Sequence, residues 1–432
     1  MNGFNIEFDW EDPVGARGEE LRATWASLAI VINDQPVTEL QDRQTRSVRS
    51  RIYLPLFPLA EWFVNNWWFL QSESEHLDSS EDLAFDRRHN IRWAREGFVL
   101  PSLRFVTLGG NIAAGWKPLE IYNAGITFSR SGHCVVNAVD FRETIRNFVN
   151  AVVTRLDDFG IAGTSLHNDW ASIQNADSDE QDFCQAVARL GKDPYVDDPA
   201  LEASVLSVAG RIRDELLADF LSLATIDELS SQADALEHIS NSIASDCLEI
   251  DVLASVRHHA PQFSQRNSPW ETGYHFATGL RTAINGHPWK SRSLEELAEK
   301  LSIDQLDRSL LPESGKCRFL DALVGLNERG NPKFLIEKKR PDSRQFAFCR
   351  AMFENLTSPG TFGAVSGLRT DRQQMSRAFA AELLVPHDGL KQDISGSVVG
   401  EEEIAQLSEA YGVSTRVIEH QIRNHRLASI LS

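Results

Sequence analysis

Arg350 and Glu354 stand four residues apart in the stretch QFAFCRAMFENL, residues 345–356. On a helix that spacing places a cation and a carboxylate on one face, one turn apart. Such a pair can close an ion pair, worth ~0.3–0.5 kcal/mol where it is exposed. It also offers a candidate partner cleft, a pocket for an anion or a peptide terminus. Ala351 between them carries no titratable group, and Gln373 and Gln374 downstream bring only neutral amides. Other residues with chemical potential are scattered. The twelve histidines include adjacent His258 and His259, and His420 with His425 in EHQIRNH beside Glu419 and Arg423. No HExxH occurs, and these histidines are expected at the solvated surface. Cys349 lies on an apolar stretch and reads as a small buried hydrophobe. Gly109-Gly110 lacks the lysine of a phosphate-binding loop, and Ser366 in TFGAVSGL lacks the glycine spacing of a hydrolase elbow.

A chain of 432 residues is too long for one core and suggests two or three domains. Its 42% apolar and 24% charged content is that of an ordinary globular protein. No apolar run is long enough to span a membrane, and the acidic start MNGFNIEFDWEDPVG does not read as a signal peptide, so a cytoplasmic location is expected. Five cysteines without a CxxC pair suggest neither a disulfide framework nor a thiolate zinc site. The net charge of −19 is unevenly spread: residues 1–264 carry 41 acidic and 21 basic side chains, and residues 265–432 carry 21 and 22. Over 157–251 there are 21 acids and four bases, Arg189, Lys192, Arg211 and Arg213. That field repels a phosphate backbone, so direct nucleic-acid binding is not expected there. The acidic stretch reads as a solvated helical face; mimicry of nucleic acid and docking of a basic partner are the alternatives.

The elements that must position these residues follow from pattern. ATWASLAIVI and VRSRIYLPL read as strands, and the Trp-rich LAEWFVNNWWFLQSE as a helix opened by Pro58 and anchored in a core. Hairpins are expected around Gly109-Gly110 and around Ser131-Gly132. Phe141, Ile145, Phe148, Val152 and Leu156 mark a helix ending at Gly160. Val205, Val208, Ile212, Leu216, Phe220 and Leu223 mark another. A helix over SDEQDFCQAVAR is expected to stop at Gly191. The polar HHAPQFSQRNSP, 258–269, reads as a linker. Beyond it come a helix over WETGYHFATGLRTAI, a helix SLEELAEKL with a capping box from Ser293 to Glu296, two strands around NERGNP, the helices holding Cys349 and FAAELLVP, and a final helix pair around Gly412. The class is α+β. The expected domains are a mixed α/β Trp-rich domain at 1–138, an acidic helical region at 139–262 and an α+β domain at 268–432.

From about residue 268, the order of SLEELAEKL, the strand pair, RQFAFCRAMFENL, RAFAAELLVP and the YGVS helix pair resembles the ImmA/IrrE family of zinc-peptidase-like proteins. The resemblance implies a zincin-like fold whose first helix carries HExxH, with an acidic ligand just before Phe-Ala-x-x-Leu-Leu-x-Pro. Aligned by Phe346 and Leu356, Arg350 falls at the first histidine, Ala351 at the glutamate and Glu354 at the second histidine. Gln373 and Gln374 lie nearest the acidic ligand. Arg350 is a fixed cation that cannot ligate zinc, and Ala351 cannot act as a base. No catalytic residue, metal or cofactor is therefore expected. The resemblance implies a catalytically silent, partner-binding or sensor subunit of a bacterial regulatory, toxin-type or phage-defence system, with a neighbouring gene product as its protein partner. The alternatives are a metal-dependent peptidase with a site rebuilt around Glu354, and a regulator whose final helix pair reads DNA.

Overall fold

Apolar residues on both faces of Trp25–Ile32 make it an interior strand, buried at all but one position. It pairs antiparallel with Phe4–Trp10, with Phe8 opposite Leu28, and with Ile52–Pro55, with Trp25 opposite Pro55. The computed structural model describes residues 3–13, 15–76, 82–94, 97–266, 268–284 and 289–431. Helices and strands in open sheets make the chain α+β. Its contacts divide it into two compact units, 1–199 and 200–432. Among the described residues no helix is long and apolar enough to cross a membrane.

In the first unit the hairpin at Gly109-Gly110 forms from Ser102–Thr107 and Asn111–Lys117. The expected hairpin at Ser131-Gly132 does not. Ile126–Phe128 pairs with Leu40–Asp42 and Leu119–Ile121, whereas Gly132–Asn137 pairs with Asn111–Lys117 in another sheet. Ser131-Gly132 is a crossing point between sheets, and Gly132 is needed there because a Cβ would lie 2.4 Å from the Trp116 ring. The tryptophans of Phe57–Asn65 and Trp67–Ser72 are core anchors. Trp62, Trp67 and Trp68 are buried with Phe63, Phe105, Phe141 and Phe148, each such ring contributing ~1.5–3 kcal/mol by leaving water. A second buried feature is polar. His89 lies between the Phe105 carbonyl (2.8 Å from Nδ1) and Glu73 Oε2 (3.0 Å from Nε2), and Arg88 also grips Glu73, with 2.7 Å from Nε to Oε2.

The helical stretch 139–262 is shared between the units. Ala138–Asp158, Ser165–Asn175 and Ser178–Arg189 supply Phe141 to Ala188 of the first core. From residue 200 onward the helices belong to the second unit. The six apolar residues from Val205 to Leu223 are all buried, but five of them sit on two helices, Pro199–Ala209 and Asp214–Leu223, and Ile212 lies in the break that follows Gly210. Asp214–Leu223 packs on strand Gly363–Val365, and Phe220 meets Phe319 edge-on at 5.8 Å. The linker stretch has no regular structure over 260–266, and Asn267 within it lies outside the described residues.

The second unit is built on a sheet ordered Leu310–Leu311, Pro332–Ile336, Ala322–Leu326, Gly363–Val365. Pro341–Thr357 packs on that sheet and against Asp371–Leu384, which in turn lies along Pro269–Ile284. Gly273 permits the last approach: a Cβ there would stand 2.3 Å from the Met375 carbonyl. Ser293 caps Leu294–Lys300 by accepting from the Glu296 N–H at 3.3 Å. The Glu296 carboxylate closes back on the N–H of Arg292 rather than on that of Ser293.

Candidate functional site

Pro341–Thr357 begins with proline in its first turn and is buried without interruption from Ala347 to Asn355. A helix buried on every side must satisfy any charge it carries from within the protein. Arg350 and Glu354 are each only 3% exposed. Arg350 donates from Nη1 to Asp321 Oδ2 at 2.9 Å. Nη2 donates to the Ser366 carbonyl at 2.8 Å and to Gln373 Oε1 at 2.5 Å, and Nε donates to Ser376 Oγ at 3.3 Å. Gln373 is fixed in turn, accepting from the Ser366 N–H at 3.0 Å and donating to the Ala364 carbonyl at 2.7 Å. Burial pushes the Arg350 pKa below its ordinary value, while Asp321 and Glu354 work in the other direction.

Glu354 turns to Arg372, whose Nη1 donates to Oε2 at 2.6 Å, and Arg372 also pairs with Asp219. The expected Arg350–Glu354 ion pair is therefore replaced by two separate partnerships. The reason is supply. Asp321, beside strand Ala322–Leu326, and Arg372, in the first turn of Asp371–Leu384, bring a carboxylate and a guanidinium to the buried face from other elements. Burial raises the Glu354 pKa, with Arg372 opposing. Oε1 of Glu354 is buried without a hydrogen-bond partner among the described residues. Despite its own burial, Arg372 is held above the ordinary arginine value by Glu354 and Asp219.

Of the five motif positions, the fold brings Arg350, Glu354 and Gln373 into one buried polar network. Ala351 is packed in the core. Gln374 points elsewhere, donating to the Arg369 carbonyl at 3.0 Å. Burial also means that Arg350 and Glu354 do not form the floor of an open cleft, as the candidate pocket required. Beside the network stands half-buried Arg377. Burial and the guanidinium groups of Arg350, Arg369 and Arg416 push its pKa down to about 9, opposed by Asp321. Arg377 donates to the Leu368 carbonyl at 2.8 Å.

No family model, curated protein or solved structure matches the chain. Cys349 is fully buried, and burial raises its thiol pKa, which suits packing and not nucleophilic attack. His258 and His420 are exposed, and His259 is tied to the Ser255 carbonyl at 2.8 Å. Asp219, Asp321 and Arg372 escaped the sequence reading. Local pattern could not have found Asp219, which is 153 positions from its partner Arg372.

Proposed function

We propose that the second unit is a peptidase-like scaffold without a catalytic metal centre, and that the protein works by holding a protein partner. The observation that carries this reading is Arg350. It stands where the resemblance places a zinc-binding histidine, and its Nε, Nη1 and Nη2 all donate to groups of the chain itself. A metal there would face a fixed cation and a neutral amide, with a single carboxylate already paired to Arg372. The positive charge gathered around Arg377, with Arg369 and exposed Arg416, suits an acidic segment or a chain-terminal carboxylate on the partner. In a bacterial setting, a neighbouring gene product of a regulatory, toxin-type or phage-defence system is the partner that the resemblance suggests.

Coexpression of the full chain with its neighbouring gene product tests this. The expected result is copurification that weakens as salt rises and is lost in Arg416→Glu, an exposed position that leaves the core intact. A chain that purifies alone, or a complex indifferent to Arg416→Glu, would count against the reading.

A further inference from the structure

Away from the Arg350 network, the C-terminal end of Asp371–Leu384 carries Glu382, a carboxylate only 1% exposed. Two histidines converge on it from other elements. His387 opens the helix His387–Asp393 just after Pro386, and His425 follows the end of Thr415–Asn424. His387 Nδ1 lies 2.7 Å from Glu382 Oε1, and His425 Nε2 lies 3.5 Å from Oε2. The two imidazoles stack, with centroids 4.7 Å apart and planes 14° apart. The ligand atoms of all three residues lie within 4.8 Å of one another.

Hydrogen bonding accounts for only part of this arrangement. Glu382 Oε1 accepts from His387, and Oε2 accepts from Gln421 Nε2 at 2.9 Å. Gln421 is itself anchored on the Val385 carbonyl at 2.7 Å, so the carboxylate is held rigidly. Nε2 of His425, by contrast, is buried and has no hydrogen-bond partner among the described residues, although it faces the carboxylate. A buried imidazole nitrogen left over beside a second imidazole and a carboxylate is a donor set in want of an acceptor of lone pairs. Two nitrogens and one oxygen suit a first-row transition ion; calcium and magnesium would ask for oxygens throughout.

We infer that Glu382, His387 and His425 form a binding site for a zinc-class divalent ion, with these three residues as its protein ligands. Gln421, donating to the bound carboxylate, is the outer partner that orients it. Bonds of ~2.0–2.1 Å to nitrogen require ligand atoms ~3.3 Å apart in a tetrahedron, so the 2.7 Å contact of His387 with Glu382 must open slightly while the wider separations close. Half-buried His387, at the start of a short helix, is the ligand that would move, exchanging its hydrogen bond to Glu382 for the ion. The ion would tie the final helix to the helix bearing FAAELLVP. This inference does not depend on the partner-binding reading.

The test uses metal-stripped full-length protein titrated with zinc against a chromophoric chelator, with cobalt as a spectroscopic reporter. The expected result is stoichiometric zinc binding, and cobalt bands in the visible of four-coordinate intensity. His387→Ala and His425→Gln should each weaken zinc binding by at least the ~10–100-fold that loss of an outer partner costs. Circular dichroism should show both variants folded, and Glu354→Gln should bind as the parent does. Absence of zinc binding by the parent, or binding unchanged in both histidine variants, would overturn the site. Binding lost in Glu354→Gln but kept in both histidine variants would overturn it and the metal-free reading of the Arg350 network together.

Discussion

Arg350 and Glu354 sit one turn apart on the same buried helix, and each turns to a different partner: Arg350 to Asp321 at 2.9 Å, Glu354 to Arg372 at 2.6 Å. These buried charges are thus absorbed into two ion pairs that fasten the helix to its neighbours. Such pairs hold the fold weakly when intact and damage it strongly when half is removed, because the remaining charge stays buried.

Arg350→Met should therefore cost ~3–5 kcal/mol of unfolding free energy, since Asp321, Gln373 and the Ser366 carbonyl all lose a donor. Glu354→Gln should cost less, ~1–3 kcal/mol, because Arg372 keeps Asp219. Urea unfolding of the three proteins at neutral pH measures both. Equal losses would mean that the two pairs act as one.

Glu73 gives the first unit a pH dependence. Burial alone would raise its pKa, but His89 and Arg88 hold it below the ordinary value of 4.5. A carboxylate lowered in the folded state contributes stability that is complete above its unfolded pKa and fades as pH falls through the folded one. Stability should hold from neutrality to about pH 5 and decline below the ordinary carboxylate range. Glu73→Gln should be less stable at pH 7 and show a shallower decline in acid. Parallel acid profiles for parent and variant would remove Glu73 from the explanation.

Thiol labelling reports on the packing. Cys247 is exposed and Cys134 half-buried, whereas Cys184, Cys317 and Cys349 are buried. Ellman's reagent should label Cys247 first and reach the three buried thiols only on unfolding. Fast labelling of the native protein that disappears in Cys349→Ser would contradict the buried, inert helix.

Gly273→Ala tests the helix pair behind the site. With the Met375 carbonyl 2.3 Å from the added carbon, the helices must part, at a cost of ~1–3 kcal/mol or more. A neutral effect on the unfolding midpoint would mean that the pair yields freely.

Elements with a local signature were legible in the sequence: the helical Trp-rich stretch, though read as one helix where Asn66 divides it into two, the Gly109-Gly110 hairpin, the Ser293 cap and the strands around NERGNP. Ser131-Gly132 and the Val205–Leu223 stretch were misread, because turn chemistry does not reveal which sheet a strand joins and a shared apolar face can continue across a helix break. The motif positions Arg350, Glu354 and Gln373 were visible, but their partners were not. Asp321 is 29 positions from Arg350, and Asp219 lies far upstream on a helix whose acidic character read as surface. Likewise His425 was noticed without Glu382 and His387, since only the packing of three helices brings them together.

The most direct measurement is elemental mass spectrometry of untagged protein carrying His387→Ala with His425→Ala, so that any metal found belongs to the Arg350 network. The expected result is no stoichiometric transition metal and no chelator-sensitive peptide hydrolysis. A stoichiometric ion that persists in this variant and is lost when Glu354→Gln is added would contradict a silent scaffold and make the network a metal centre.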